Sequence, residues 1–372
     1  MGIEDILMHD ETIFRNSMVF NPDYTPQDFE FRDSQMEAMA MSIRPALHEG
    51  RPVNSIIMGP CATGKTTAVK KVFELVEQTS NKIVCCFINC QLHTTPFSIM
   101  SQIFNKIFKH NPPETGVPYS KIYQQVMDHL VKEDKSLIVA FDDVNYLFQG
   151  NNANKLFYDI LRAYEEFPGV RTGLFVILSD LEFKYALDKN VNTVFIPQDI
   201  VFQPYSRLEL LEILTKRAKA GFFEGVISDE ILEEITDYAL DSGDLRVGID
   251  LLKVCGNIAE SNASPKITLD YLKQAKNQQV SVNLVETYKS LSDVERQLLK
   301  IIAENNKVLT AGELSEKFKN STGLSYATFN RTLDKLEFLR LIDTKLTGKG
   351  VRGNSRQVLI RFNPEDIKSL DI

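Results

Sequence analysis

The chain has 372 residues, of which 43% are hydrophobic and 25% are charged, and its formal net charge at pH 7 is −8. This length is more than one hydrophobic core usually serves, so we expect two or three domains. The composition excludes a disordered chain, a collagen-like chain and a disulfide scaffold, and the sequence has no uncharged apolar run of about 18 residues that could cross a membrane.

Two features predict a cytoplasmic protein. Residues 1–11 carry acidic side chains where a signal peptide needs a basic stretch followed by an apolar one. The cysteines are odd in number and lie in apolar or glycine-rich surroundings, so we expect reduced, packed thiols at Cys61, Cys85, Cys86, Cys90 and Cys255. A zinc site shared by Cys85, Cys86 and Cys90 is disfavoured, because adjacent strand residues point to opposite faces.

Short apolar runs alternate with helical patterns in the first half of the chain. The runs predict buried strands at Asn54–Met58, Lys82–Ile88, Leu137–Phe141, Gly173–Leu178 and Val194–Ile196. The helical patterns between them lie at Lys65–Gln78, Pro96–Lys109, Tyr119–Glu133 and Asn154–Phe167. This alternation predicts a three-layer α/β domain with a parallel sheet over residues 1–203.

The pattern changes after Tyr205. Residues 204–279 predict a small all-helical domain with helices at Ser206–Ala220, Ser228–Leu240, Asp244–Glu260 and Thr268–Lys276, followed by a polar linker at 276–279. Residues 280–372 predict helices at Ser292–Glu304, Ala311–Lys319 and Ser325–Leu339, then strands at Leu341–Leu346 and Gln357–Phe362 around a glycine-rich loop. Three helices followed by a β-hairpin describe a winged helix-turn-helix.

The most specific motif is Gly59–Thr66, which matches G-x-x-x-x-G-K-S/T between a strand and a helix. In such a loop the backbone N–H groups surround phosphates, the lysine (Lys65) reaches the β- and γ-phosphates, and the hydroxyl of Thr66 ligates Mg²⁺. The motif therefore predicts an ATP or ADP site with Mg²⁺. The predicted nucleotide contacts are Pro60, Cys61, Ala62, Thr63, Gly64, Lys65, Thr66, Thr67 and Ala68.

A second acidic motif ends the run Leu137–Phe141. Asp142 is predicted to hold the Mg²⁺ through water, and Asp143 is a candidate for positioning the attacking water. Asp143 could equally be a turn residue at the end of the strand, because geometry decides whether a carboxylate can act as a base. The sequence leaves both interpretations open.

With these motifs, the chain resembles the archaeal origin-recognition and cell-division-control replication initiators of the AAA+ ATPase family. The resemblance covers nearly the whole length and also rests on Asn21–Pro26, Phe31–Gln35, Ile88–Cys90, Phe202–Tyr205 and Gly243–Arg246. It implies that Tyr205 and Arg217 line the nucleotide pocket and that Arg246 is a lid sensor near the γ-phosphate. It also implies that the helix at Pro96–Lys109, with Lys106 and Lys109, touches DNA.

Three departures from this family affect turnover. Asp143 stands where the family has Glu, Ser179 stands at the polar sensor position where Asn is common, and Asn190 stands where the family tends to carry an arginine finger. An arginine finger is typically worth about 10³–10⁵ in rate. The departures predict tight nucleotide binding with slow hydrolysis, in which Lys65, Asp143, Ser179 and Arg246 are the candidate catalytic residues.

The C-terminal quarter is the basic part of this acidic chain. Residues 281–372 carry 15 Lys and Arg against 12 Asp and Glu, and Lys345–Arg361 contains no acid. The pattern predicts duplex DNA contacts, from the helix residues Tyr326, Thr328, Asn330, Arg331 and Lys335 and from the wing residues Lys349, Arg352 and Arg356. Each polar residue of the helix, considered alone, could simply lie on a solvent-exposed face without contacting DNA. Some winged helices also bind protein instead of DNA.

The sequence thus predicts an ATP-binding initiator that recognises origin DNA, recruits the replicative helicase or other initiator subunits, and assembles on DNA from a monomer in solution. The first alternative is a paralogue locked to its nucleotide that acts as a DNA-binding regulator or recruitment module. The second is an AAA+ motor that acts on protein substrates, which would leave the wing without a purpose. Whether the protein is an ATPase in practice stays open.

Overall fold

The computed structural model describes residues 12–22, 24–26, 29–113, 116–148, 152–178, 188–304, 309–339, 341–346, 356–360 and 367. The chain divides into two compact units, Met1–Leu252 and Lys253–Ile372. The domain boundaries at residues 203 and 279 stay predictions. Three of the predicted site residues, Ser179, Lys349 and Arg352, lie outside the described residues.

The described part of the first unit contains a five-stranded parallel sheet with the strand order β2-β3-β4-β1-β5. Every residue of Ser136–Asp142 is buried, including the polar residues at its two ends, as expected for a strand covered on both faces. The predicted parallel α/β fold is confirmed. The strands are β1 (Ser55–Met58), β2 (Ile83–Asn89), β3 (Ser136–Asp142), β4 (Arg171–Leu178) and β5 (Gln198–Val201).

The fifth strand lies later than the sequence predicts. Val194 and Phe195 were expected in it, but their N–H groups bond to the carbonyl of Val191 at 3.0 and 2.8 Å in the turn after a short helix. The strand itself is an edge strand in which only Ile200 is buried. Its polar composition hid it from a search for apolar runs.

Helices cover both faces of the sheet. The α-helices of the first unit are α1 (Asp33–Ile43), α2 (Lys65–Thr79), α3 (Pro96–Phe108), α4 (Tyr119–Lys132), α5 (Asn145–Phe148), α6 (Asn152–Leu161), α7 (Ala163–Glu166), α8 (Lys189–Asn192), α9 (Arg207–Gly221), α10 (Asp229–Ser242) and α11 (Leu245–Ser261). The boundary between the two units, after Leu252, falls within α11. The predicted helix at 154–167 is two helices, because the backbone of Arg162 leaves helical angles (φ −102°, ψ 10°).

Alternate residues of the strands belong to two different hydrophobic clusters. Cys85 and Ile138 pack with α1 and α2, whereas Cys86 and Val139 pack with α3, α4 and α6. This alternation follows from the two-residue repeat of a strand. It makes the unit three-layered and places Cys85 and Cys86 on opposite faces, as predicted.

The segment before α1 packs against α9, the first helix of the predicted all-helical domain at residues 204–279, which we call the lid. Phe14 and Phe20 form a ring cluster with Phe222, with centroids 5.1 and 4.9 Å from it. The N–H groups of Arg15 and Asn16 both donate to the carbonyl of Gly221. We call residues 12–32 the N-terminal strap, since they run from the lid helix α9 towards α1.

The second unit contains α12 (Leu269–Ser290), α13 (Asp293–Ala303), α14 (Ala311–Thr322) and α15 (Tyr326–Phe338). Its described residues also form an antiparallel sheet in the order β6-β8-β7, from β6 (Leu309–Thr310), β7 (Ile342–Leu346) and β8 (Arg356–Ile360). These helices and the hairpin are the predicted winged-helix arrangement. The polar stretch at 276–279 lies within α12 and contains no helix-breaking residue, so the chain is helical where the linker was expected.

The contact between the strap and the lid helix leaves no room for a side chain at Gly221. A Cβ there would lie 2.2 Å from the ring of Phe20, so Gly221→Ala is expected to cost about 1–3 kcal/mol of unfolding free energy through overpacking. Thermal or urea unfolding measures the loss.

Gly312→Ala is the matched control. It lies in α14 with its nearest neighbour 3.9 Å from the added Cβ, and Ala is the better helix former by about 1 kcal/mol. The control should be neutral or stabilising, and equal effects at both glycines would contradict the strap contact.

Candidate functional site

The loop between β1 and α2 adopts backbone angles that glycine-rich phosphate loops require. Ala62 and Gly64 have φ values of 57° and 89°, in the left-handed region, and Gly64 caps α2. A non-glycine residue in this region is uncommon and is found where the surrounding structure holds it. The loop therefore ends with its N–H groups at the N-terminus of α2, where an anion is stabilised.

Lys65 lies inside this loop. It is only 7% exposed, and its Nζ donates hydrogen bonds to the carbonyls of Gly59 and Pro60, both at 2.7 Å. Burial lowers the pKa of Lys65 from its ordinary value. An ammonium removed from water and held by neutral carbonyls gains from an anionic partner, which is the role predicted for it towards phosphates.

Thr66 and Asp142 meet at the carboxyl end of the sheet. The hydroxyl of Thr66 donates to Oδ2 of Asp142 at 2.8 Å. Burial raises the pKa of Asp142, and the hydrogen bond from Thr66 opposes that rise. A hydroxyl and a carboxylate side by side are the oxygen donors that suit Mg²⁺ bound with a polyphosphate, so these residues fit the predicted metal.

Asp143 follows in a left-handed conformation with φ 52°. Its Oδ2 accepts a hydrogen bond from Nε2 of Gln91 at 2.8 Å. Gln91 comes just after β2, whose last residue Asn89 pairs in register with Asp142. The sequence analysis missed Gln91, although polar residues that follow neighbouring parallel strands meet at one edge of a sheet and could have suggested it.

Tyr205 lies beside the phosphate loop, and its place in the nucleotide pocket stays a prediction. A Cβ built on Gly64 would lie 2.8 Å from the hydroxyl of Tyr205 and 2.9 Å from the ring of Phe29. The guanidinium of Arg32 lies 3.8 Å from the centroid of the Tyr205 ring. Phe29 and Arg32 are further residues that the analysis of motifs did not assign to the site.

The two predicted lid arginines differ in their surroundings. Arg217 donates to the carbonyl of Val19 at 2.6 Å and lies 4.5 Å from the ring of Tyr24, so both of these contacts are with the strap. Arg246 pairs with Asp244 at 2.6 Å. That pairing raises the pKa of Arg246, and the nearby carboxylate of Asp143 acts in the same direction. Arg246 therefore lies near the phosphate loop.

The four buried cysteines are packed thiols, as predicted, but Cys61 is exposed because its loop faces solvent. Burial raises the pKa of Cys85, Cys86 and Cys255 to about 12 and raises that of Cys90 as well. These four side chains stay protonated at neutral pH and are poor nucleophiles.

Of the predicted DNA contacts in the first unit, Lys106 pairs with Glu77 at 2.9 Å on α2. Lys109 is exposed just after α3, with a φ of 63°. The DNA roles of both residues stay predictions.

The predicted recognition helix is α15, which begins after the capping residue Ser325. Phe329, Leu333 and Leu336 are buried, as predicted. Tyr326, Arg331 and Lys335 are exposed, whereas Thr328 and Asn330 are half-buried.

Two of the basic residues in the second unit already have acidic partners. Lys335 pairs with Glu295 at 2.7 Å, and Arg356 pairs with Asp334 at 2.8 Å. A phosphate that bound either side chain would compete with these carboxylates.

A phosphate-binding loop on a parallel sheet, followed by a helical lid, defines a P-loop ATPase of the AAA+ class. Residues 51–179 match the family model of the AAA domain, and residues 211–277 match that of the Cdc6 AAA+ ATPase-type lid domain. Membership of this class carries nucleotide binding with it.

Similarity over the whole chain narrows the class to one family. ORC1-type DNA replication protein 2 of Methanothermobacter thermautotrophicus is 61% identical over 98% of this chain and 97% of its own. The protein of the same name from Methanosarcina acetivorans is 41% identical, over 98% and 97%. The chain belongs to the ORC1-type DNA replication proteins, which confirms the resemblance stated from the motifs.

The fold is also that of solved archaeal structures. The Aeropyrum pernix ORC1 protein in complex with DNA is 24% identical, with a TM-score of 0.72 and 97% of each chain covered. The Aeropyrum pernix ORC2 protein, in ADPNP-ADP complexes, is 24% identical with a TM-score of 0.73 over 96% of this chain and 97% of its own. In the part of our chain that the structure describes, no helix is long and apolar enough to span a bilayer.

The exposure of Cys61 against the burial of the other cysteines predicts selective alkylation. Iodoacetamide at pH 8 should label Cys61 alone in the native protein and all five thiols after denaturation, because only thiolates react. Intact-mass spectrometry counts the adducts, and saturating ADP should slow the native reaction.

Cys61→Ser is the control for that labelling experiment, because it should remove the native adduct without affecting the other four sites. Native labelling of a second cysteine would contradict the burial described above, and labelling of Cys61 at an unchanged rate with ADP bound would contradict its place in the nucleotide loop.

Proposed function

We propose that this protein is an ATP-binding replication initiator that acts in the cytoplasm, recognises duplex origin DNA and helps to recruit the replicative helicase or other initiator subunits. The observation that carries the proposal is the combination of a complete phosphate loop and a winged-helix arrangement in a chain 61% identical to an ORC1-type relative along its length. A phosphate loop alone would fit many ATPases.

In the proposed nucleotide site, the N–H groups of the loop and Lys65 hold the phosphates, while Thr66 and Asp142 hold Mg²⁺. The ion, when bound, neutralises charge on the phosphates. Tyr205 and Phe29, which border Gly64, would exclude water from the side of the loop nearest the strap. Arg246 would approach the γ-phosphate from the lid after exchanging its partner Asp244 for the nucleotide.

In the proposed DNA interface, α15 enters the major groove with its N-terminal half, where Tyr326 and Arg331 are exposed. Arg356, at the start of β8, would contact the phosphate backbone together with the predicted wing residues Lys349 and Arg352. Lys106 and Lys109 would add contacts from α3. We further propose that the protein is a monomer in solution and that several copies assemble on DNA.

Nucleotide would act as the switch. The parallel α/β domain and the helical lid would both contribute residues to the nucleotide site. Binding and release of ATP would therefore change the orientation of the lid relative to the α/β domain, and this change would alter how DNA and partner proteins are held.

A second candidate function is a paralogue that keeps its nucleotide and acts as a DNA-binding regulator. The bond from Gln91 to Asp143 favours it, because a carboxylate that already accepts a hydrogen bond, and is one methylene shorter than Glu, is less suited to orienting water. Asn190, which is exposed in α8, has no guanidinium to serve as an arginine finger.

Mapping of bound sites across the genome tests the initiator proposal. Crosslinked protein should peak at replication starts, whereas peaks at promoters would favour the regulator. A chain in which Lys349, Arg352 and Arg356 are all changed to Ala should lose the peaks, and in binding assays the slope of log affinity against log salt should flatten by about one unit per lost phosphate contact.

The matched control removes the same charge elsewhere, by changing Lys219, Lys266 and Lys273 to Ala. All three are exposed and none is a predicted DNA contact, so this variant should bind as wild type. A wing variant with unchanged peaks and an unchanged salt slope would remove the wing from the interface.

Single-turnover hydrolysis tests the role of Asp143. If this residue orients the attacking water, Asp143→Asn should slow hydrolysis by about 10²-fold while nucleotide affinity changes little, because the loop and Lys65 are intact. If Asp143 is only a turn residue, the rate should be unchanged.

Asp134→Asn is the control for Asp143→Asn, since Asp134 also has a positive φ, of 50°, beside β3 but lies at its other end. We expect slow hydrolysis in the wild type, and a rate equal to that of ordinary AAA+ initiators would contradict this expectation.

A further inference from the structure

A buried arginine that the scheme above does not use lies against the phosphate-binding loop. Arg32 is 3% exposed. Its Nε donates to the carbonyl of Thr63 at 3.0 Å, and its Nη2 donates to the carbonyl of Gln203 at 2.9 Å. Thr63 belongs to the loop, and Gln203 belongs to the connection from β5 to the lid. One side chain therefore joins these two parts of the molecule.

Aromatic rings continue the same contact. The guanidinium of Arg32 lies 3.8 Å from the ring centroid of Tyr205 and 5.7 Å from that of Phe202. Tyr205 in turn borders Gly64, the residue that caps α2. The path from the lid connection to the helix that receives the phosphates is thus a chain of direct contacts.

Arg32 forms no ion pair with an acid in the part of the chain that the structure describes. Among the described residues no carboxylate lies within ion-pair distance, and Nη1 donates to the carbonyl of Phe31. A buried cation held only by neutral oxygens and ring faces is costly. An anion bound at the adjacent loop reduces that cost, so Arg32 stabilises the occupied loop more than the empty one.

We propose that Arg32 is a positioning residue, which holds the phosphate loop and the lid connection in the arrangement that retains nucleotide. This inference rests on the proposed nucleotide site and goes beyond it, because it assigns the rate of nucleotide release to a residue outside the phosphate-loop motif. Arg32 acts through Thr63, Gln203 and Tyr205 rather than by touching the phosphates.

Arg32→Lys is the first test. Lysine keeps the charge, but its ammonium cannot donate to the two carbonyls in fork geometry or lay a flat face on Tyr205. ADP should dissociate about tenfold faster from this variant, as expected for the loss of a charge-assisted hydrogen bond. The measurement is displacement of a fluorescent ADP by excess unlabelled ADP in stopped flow.

Arg51→Lys is the matched control. The guanidinium of Arg51 lies at the same 3.8 Å from a ring, that of Tyr164, but Arg51 is exposed and forms no part of the nucleotide site. ADP should leave this variant at the wild-type rate. Melting temperatures without nucleotide separate the two roles, since a purely structural Arg32 would lower the melting temperature and leave the release rate unchanged.

A double-mutant cycle with Tyr205→Leu tests whether Arg32 acts on the phosphate loop through Tyr205. If Arg32 acts through Tyr205, the combined variant should release ADP more slowly than the product of the two single effects predicts. If the two residues act independently, the effects should multiply. Should Arg32→Lys fail to fold, Arg32→Gln removes the positive charge and keeps two N–H donors, and its ADP release should also be about tenfold faster.

Release of ADP at the wild-type rate from the folded Arg32 variants would overturn the inference, as would independent effects in the cycle. A wild-type protein that does not bind ADP at all would remove the proposed nucleotide site together with it. The two failures are therefore distinguishable, because only the second is seen in the unmodified chain.

Discussion

The hydrogen bond between Thr66 and Asp142 joins residues that are 76 positions apart, and the rest of the site depends on the constraint that brings them together. Thr66 is the second residue of α2, which follows β1, and Asp142 ends β3; β4 lies between these two strands in the sheet. Parallel strands present all their carboxyl ends at one edge. The phosphate loop, Asp142 and Asp143 therefore lie together at one edge of the sheet, because the strands run in one direction.

A second constraint comes from the N-terminal strap. Its aromatic rings pack on Phe222 of the lid, the carbonyl of Val19 accepts from Arg217, and Lys216 pairs with Glu30. At its other end, Arg32 binds the carbonyls of the phosphate loop and the lid connection. The strap thus connects the lid and the loop by a route separate from the chain between β5 and α9.

Two basic residues of the winged-helix arrangement, Lys335 and Arg356, form ion pairs with acidic residues of the same unit. Glu295 and Asp334 occupy the side chains of Lys335 and Arg356 in the absence of DNA. Exposed pairs contribute little to stability; the Arg356–Asp334 pair is of this kind, whereas the Glu295 side chain is only 12% exposed. In the proposed DNA interface, a phosphate would therefore replace the carboxylate at Arg356 at a small cost in free energy.

The sequence by itself determined the parallel α/β class, the phosphate loop, the acidic residues at the end of β3 and the succession of helical lid and winged-helix arrangement. These features follow from local patterns in the sequence: apolar runs, helical periodicity and a glycine-containing motif that is specific to phosphate-binding loops. The tertiary structure alone decided the position of β5, the continuity of α12 through the expected linker, the hydrogen bond from Gln91 to Asp143 and the contacts of Arg32. An edge strand lacks an apolar run, and a contact such as that between Arg32 and Gln203, which are 171 residues apart, leaves no local pattern in the sequence. Only packing brings such residues within hydrogen-bond distance.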